Sequence, residues 1–376
     1  MFHPQMMATA DPNITNFTER DPCPFEPYTS TEKVFQCIAY FIIMFGSFVG
    51  NVLVICVVIL NRQMRTVTNY LIVNMAVADL LITIVSMPVT AKVLVTGHSI
   101  NWSNGVLYDI LCKIIPFSQT LSIASSVLSL TVIAVDRFLA VMYPLKRCMT
   151  FQKTYVAMAL VWLVGIAVNS PTLYAQKIVF LEYSQRWTCT EMWEPAFTEG
   201  AYKGFTIVLF VIFYVVPLLT MSILYSFVIY KLWVRKVPGN QTAENQQRSN
   251  KSRKKVLKML LAVVILFSLC WLPVYITQFI RFYGEEDFPC GPPSTLAFMG
   301  YFLGHANSAI NPAIYVIFNS DFRKGFRDVL LCRYSRRNRV APQVNLGTAT
   351  GGENSYIDGA TVLARIRTRG GSKVST

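Results

Sequence analysis

The stretch Cys112–Tyr143 reads CKIIPFSQTLSIASSVLSLTVIAVDRFLAVMY. From Leu121 to Ala134 every residue is apolar or carries a hydroxyl. Charges stand only near the ends, Lys113 at one and the pair Asp136 and Arg137 at the other. As a helix, Cys112 to Arg137 extends ~37 Å at ~1.5 Å per residue, more than the ~30 Å hydrocarbon core of a bilayer. A tilted helix would therefore place Cys112 outside one face and Arg137 at the other. Cys112, Gln119, Ser126 and Ile133 recur at heptad spacing, and Arg137 follows one turn later, so they keep close to one stripe. One rod thus carries a covalent anchor, a polar contact point and a cation in line, and can link events on the two sides of a membrane.

Composition agrees with a membrane solvent. The 376 residues are 53% hydrophobic and 14% charged, against about 25% charged in a typical soluble chain. Seven apolar segments are predicted as helices: Val34–Leu60, Asn69–Thr96, Tyr108–Met142, Thr154–Tyr174, Tyr202–Val234, Val256–Tyr283 and Ser294–Phe318. Each meets the ~20-residue requirement for a span. Backbone groups left unpaired in lipid are costly, so helices and not open strands are expected. The fold class is all-α: a seven-transmembrane helix bundle over residues 34–332. Pro88, Pro217, Pro273 and Pro312 lie inside segments and are expected to kink them. No continuous apolar run precedes the first segment, which is expected to serve as the insertion signal.

Charge sets the orientation. Arg62 and Arg65, Lys146 and Arg147, the run from Arg235 to Lys255, and Arg323 to Arg339 all fall on one side. By the positive-inside rule that side is cytoplasmic. The opposite side carries Asp11, Glu19, Asp21, Glu26 and Glu32, then Glu182, Glu191, Glu194 and Glu199, then Glu285, Glu286 and Asp287. The N-terminus is therefore expected outside and the C-terminus inside. The net charge of +14 is explained by the inner face and calls for no nucleic acid.

Residues 1–33 form a polar outer segment with glycosylation sequons at Asn13 and Asn16. Asp321–Cys332 sets Phe322 and Phe326 against Arg323, Lys324 and Arg327, the pattern of a short amphipathic helix on membrane lipid. Cys332 at its end is either a palmitoylation site or an ordinary free cysteine. Residues 333–376, rich in Gly, Ser and Thr toward their end, read as a disordered cytoplasmic tail.

Asp79 is nearly alone as a carboxylate at mid-depth. It must be neutral or hold a cation, with Asn51, Ser126, Asn307, Ser308 and Asn311 as candidate partners. A hydrogen-bonded polar plug between helices is the plainer alternative. Three histidines and nine scattered cysteines, with no CxxC, leave little for an enzyme. A transporter would show internal repeats and a relay of ionisable groups, and neither is present.

Several short motifs stand in order along the spans: Gly50-Asn51-Val52, Leu71 to Leu80, Asp136-Arg137-Phe138, Trp162, Pro217, Cys270-Trp271-Leu272-Pro273 and Asn311-Pro312-Ala313-Ile314-Tyr315. Together they resemble the rhodopsin-like (class A) G-protein-coupled receptors. One departure is Phe138, where that family usually has Tyr. The resemblance implies a receptor, not an enzyme, acting on a heterotrimeric G protein, with arrestin and receptor kinases on the tail. It implies that Asp136 and Arg137 form an ion pair broken on activation, freeing Arg137 to meet the G protein or Tyr225 and Tyr315. It implies a switch at Trp271 and Pro273 over a packing relay of Phe267, Val127 and Pro217. Asn311, Pro312 and Tyr315 belong to the same switch. It implies a sodium ion as the one allosteric cofactor, at Asp79, Ser126, Asn307 and Asn311, and a disulfide between Cys112 and Cys189. Cys23 and Cys290 are both expected outside, and a second bridge between them is open.

The ligand follows from the outer half. Gln119 stands where amine-binding relatives carry Asp, and no Lys occurs in the seventh segment for retinal. Gln119, Thr120, Gln278, Tyr301 and His305, above Trp271, are expected to form a neutral hydrogen-bonding floor under an acidic rim. That suits a peptide with a cationic, amidated C-terminus. Cys189 to Pro195 and the fifth segment resemble the RFamide-type branch, which includes receptors for neuropeptide FF and for pyroglutamylated RFamide peptide. Where such receptors often have an acid, this chain has Arg281-Phe282, so the carboxylate for the peptide Arg is Glu191 or one of Glu285, Glu286 and Asp287. Alternatives are an orexin-, neuropeptide Y- or cholecystokinin-like peptide, a small molecule or a lipid.

Overall fold

The computed structural model describes residues 29–96, 102–146, 148–182, 185–198, 200–234, 242–284, 288–289 and 291–331. Asn13, Asn16, Cys23, Cys290, Cys332, the run 285–287 and the tail lie outside them.

The first span is α1, Ser30–Leu60, which begins one turn before the apolar run. Thr29 starts it with a capping box: its Oγ1 accepts from Glu32 N, and Glu32 Oε2 accepts from Thr29 N. The second predicted segment is two helices, α2, Val67–Val85, and α3, Met87–Thr96, parted at Ser86. Pro88 has no N–H for the carbonyl one turn earlier, which accounts for the break. Then come α4, Val106–Met142, and α5, Phe151–Asn169, with a short α6, Pro171–Ala175. A two-stranded antiparallel hairpin follows, β1, Gln176–Leu181, and β2, Arg186–Glu191. The fifth span is α7, Ala201–Phe210, a π turn at Val211–Val215, and α8, Val216–Val234. The π turn precedes Pro217 and delivers Phe213 and Tyr214 to the interior, both buried.

α9, Thr242–Tyr283, runs well before the predicted start at Val256. Its first turns are rich in Glu, Gln, Lys and Arg, all good helix formers with no hydropathy signal. α10, Ser294–Phe318, completes the bundle, and α11, Ser320–Leu330, follows. In α11 Phe322 is buried while Arg323 and Arg327 are exposed. Arg323 Nη1 donates to Val316 O at 3.2 Å, closing the end of α10.

Six of these helical stretches are long and apolar enough to cross a membrane, with α10 outside that set. Its His305, Asn307, Ser308, Asn311 and glycines lower its hydropathy, yet those side chains are buried against other helices. α10 packs most extensively on α9, while α4 packs on α2, α5 and α8 and meets β1 at its outer end. Close helix approach depends on several glycines, Gly50 and Gly304 among them. A Cβ on Gly50 would stand 2.8 Å from the Pro312 ring, and one on Gly304 would stand 3.0 Å from the Trp271 ring. Many apolar side chains face outward instead, among them Phe35, Phe41, Phe45, Ile84 and Leu163, as lipid contact requires.

Gly50→Val forces this seam apart, and overpacking costs ~1–3 kcal/mol. A lower thermal midpoint in detergent is expected for Gly50→Val. Gly204→Ala, where nothing lies within 4 Å, should match or exceed the wild type.

Candidate functional site

At the outer end, Cys112 of α4 is bonded to Cys189 of β2 (S–S 2.02 Å, Cα–Cα 5.6 Å). The hairpin register pairs Gln176 with Glu191, so the bond fixes Glu191 at the strand end near the head of α4. Glu191 Oε1 accepts from Trp193 Nε1 at 2.7 Å. Trp193 is buried, with ring centroids 5.4 Å from Phe197 and 5.0 Å from Phe205 of α7. Burial raises the Glu191 carboxyl above the usual carboxylate range, while the Trp193 N–H and the positive charge of Arg281 oppose the rise. The expected rim therefore includes a carboxylate that already has a partner. Trp193 was missed because a side-chain direction two residues away is not visible in spacing.

Gln119, Thr120, Gln278 and Tyr301 are all half-buried. Thr120 Oγ1 donates to carbonyls of its own helix, Pro116 O and Phe117 O. His305, expected in the hydrogen-bonding floor, is buried. It is sealed between α10 and α1, with Nδ1 3.3 Å from Tyr40 Oη. Trp271 is buried with Phe267 beneath it, ring centroids 6.3 Å apart. Phe267 and Val127 share one core cluster, and Pro217 is buried. Tyr214 Oη adds a link not foreseen, donating to Ser268 O of α9 at 2.9 Å.

At mid-depth Asp79 is fully enclosed, with Oδ1 accepting from Ser308 Oγ and Oδ2 from Asn311 Nδ2, each at 2.9 Å. Asn51 Nδ2 reaches Ser47 O and Ser308 O, tying α1 to α10. Ser126 Oγ and Asn307 Oδ1 are buried without a hydrogen-bond partner. A carboxylate with two unpartnered buried oxygens suits a small hard cation, which takes oxygen ligands. The oxygens of Asp79, Ser126 and Asn307 are of the kind sodium takes, while Asn311 presents Nδ2 to Asp79.

At the inner end Asp136 Oδ2 receives three donors: Arg137 Nη2 at 2.5 Å, Arg137 Nε at 3.0 Å and Thr68 Oγ1 at 3.1 Å. Thr68, on α2, was not foreseen, since a lone Thr at a helix start reads as a cap. Tyr225 and Tyr315 are buried in the shared core, and Tyr225 Oη has no hydrogen-bond partner. Arg137 is thus folded onto its neighbour.

Comparison with known proteins gives the same picture. The model of the 7 transmembrane receptor (rhodopsin family) matches residues 50–315. A QRFP-like peptide receptor of Branchiostoma floridae is 37% identical over 83% of this chain and 80% of its own. Neuropeptide FF receptor 2 of Rattus norvegicus is 34% identical, covering 82% and 75%. Galanin receptor 2a of Danio rerio is 30% identical, covering 94% and 95%. With seven packed helices, the outer disulfide and the motifs in order, this multi-pass membrane protein belongs to the rhodopsin family of seven-transmembrane receptors.

Proposed function

We propose that this receptor lies in the plasma membrane with its N-terminus outside and is activated by an extracellular amidated peptide of the RFamide type. It passes the signal to a heterotrimeric G protein. The observation that carries the reading is Glu191, held by the Cys112–Cys189 bond over the same helix that presents neutral Gln119. The names of the QRFP-like peptide receptor and neuropeptide FF receptor 2 support the peptide class. A galanin-like peptide is the second reading, favoured by the near full-length match. The peptide enters amide first, into the neutral zone of Gln119, Thr120, Gln278, Tyr301 and His305 above Trp271. Its Arg meets Glu191 through Oε2, since Trp193 occupies Oε1.

Binding favours a packing in which Trp271, Phe267 and the Pro273 kink shift. A ligand can only activate by preferring that packing. Arg137 then leaves Asp136 for the G protein, with Tyr225 and Tyr315 beside it. Sodium at Asp79 favours the resting packing. Arrestin and receptor kinases act on the tail, α11 rests on inner-leaflet lipid, Cys332 is its lipid anchor, and Asn13 and Asn16 are glycosylated.

The reading is tested by calcium and cAMP assays in transfected cells with a panel of peptides in amidated and free-acid forms. An Arg-Phe-amide peptide should be the most potent, and its free acid much weaker. Equal potency of acid and amide would reject it. With that peptide, Glu191→Gln should lower potency by about 30-fold or more, because unpairing a partly buried charge costs roughly 2–5 kcal/mol. A neutral isostere of the peptide Arg should cost the same, and the double change should be far from additive. Full additivity would move the pairing to Glu285, Glu286 or Asp287. Arg137→Ala should keep surface expression and most peptide binding while strongly weakening signalling; unimpaired G-protein activation would remove Arg137 from its role.

A further inference from the structure

Glu191 and Trp193 are two residues apart, and Met192 between them is 41% exposed while Trp193 is 7% exposed. That alternation carries the β2 pattern past its last residue and puts both side chains on one side. The backbone there is fixed from several directions. Cys189 is bonded to Cys112, and Gln176 pairs with Glu191. Met192 N donates to Ala175 O at 2.7 Å, Lys177 Nζ to Glu194 O at 3.0 Å, and Phe197 N to Trp193 O at 3.1 Å. The last bond closes a turn that lays Phe197 against the Trp193 ring, centroids 5.4 Å apart, and Tyr174 backs Phe197 at 5.6 Å. Phe205 of α7 meets the indole at 5.0 Å.

A seat lined by Phe197 and Phe205 asks only for a ring, so the indole N–H is the part of Trp193 that packing does not explain. That N–H donates to Glu191 Oε1 at 2.7 Å. Glu191 is half-buried, and a carboxylate that loses hydration regains part of it from a donor to the charged form. Arg281 of α9, beside buried Phe282, adds positive charge, and it and the indole both oppose the upward push of burial on this carboxyl. Charge acts at a distance, whereas a hydrogen bond has a required direction and so fixes the rotation of the carboxylate.

We propose that Trp193 is a positioning residue for the arginine of the activating peptide: by holding Oε1 it sets the rotation of the Glu191 carboxylate and turns Oε2 to the guanidinium. The role acts through Glu191, so its effect depends on the charge of the peptide side chain. Ring packing alone would serve a charged and a neutral peptide equally. The proposal rests on the amidated-peptide reading and names the residue that sets the geometry of its Arg contact.

The test uses one synthetic peptide ending in Arg-Phe-amide, and its analogue with citrulline, a neutral isostere, in place of the arginine, on surface-quantified receptor. Trp193 is replaced by 3-benzothienylalanine through nonsense suppression, which keeps the bicyclic ring and puts sulfur where the N–H was. Potency of the arginine peptide should fall by about ten-fold, equivalent to ~1.4 kcal/mol, while that of the citrulline peptide should stay within about three-fold. Trp193→Phe, which also gives up ring area, should weaken both peptides, the arginine peptide more, and serves if suppression yields too little receptor. In Glu191→Gln the 3-benzothienylalanine replacement should leave the arginine-to-citrulline ratio as it stands, because the two residues act as one unit. A wild-type ratio on the replaced receptors, or an equal fall for both peptides, would overturn the positioning role and leave the peptide reading standing. If wild type responds equally to the two peptides, or to neither, the Glu191 pairing itself fails and the role of Trp193 falls with it.

Discussion

A carboxyl group at mid-depth in hydrocarbon is tolerable only when its oxygens are matched, and Asp79 sets that demand for the whole bundle. Ser308 and Asn311 bring α10 to it, and Thr83 Oγ1 donates to the Asp79 carbonyl at 2.5 Å. Ser47 of α1 meets Thr83, and Asn51 bridges from Ser47 to Ser308. Three helices are therefore held by one polar chain. Gly50, beside Asn51, lets α1 close on the Pro312 ring, and α10 lies against Trp271 through Gly304.

The two ends repeat the principle with different chemistry. Outside, a covalent bond between α4 and β2 makes the hairpin part of the bundle, so Glu191 keeps its place over the helices. Inside, Thr68 and Arg137 both donate to one oxygen of Asp136, which ties α2 to α4 and keeps the guanidinium from leaving. Each end is connected to the middle through α4, whose Cys112, Ser126 and Ile133 are buried on one stripe.

The bundle was legible because hydrocarbon demands long apolar helices, and a polar side chain inside one stands out. Asp79, Asn51 and Asn311 could be named for that reason. The outer bridge rested on family resemblance. Other features left no such mark. The break at Ser86 takes one residue of an apolar run. The first turns of α9 are polar, so hydropathy passes over a helix that side-chain propensity supports. β1 and β2 are each six residues, too short for an alternation pattern to separate from loop. His305 was read as part of a hydrogen-bonding floor, and its contact with Tyr40, 265 positions away, is beyond the reach of any spacing rule. The seventh span was read as an apolar segment long enough to span, although its polar residues keep it outside the most apolar helices.

The account holds that the Asp79 network is the element whose occupancy biases the bundle between a resting and a signalling packing. Linkage makes this measurable without a structure, because whatever stabilises the resting packing must weaken agonist binding by the same coupling free energy. The direct measurement is agonist affinity as sodium replaces potassium at constant ionic strength, on wild type and on Asp79→Asn. The account predicts that affinity for wild type falls as sodium rises and that Asp79→Asn is indifferent to the exchange. A wild-type affinity unchanged across the same exchange would contradict it.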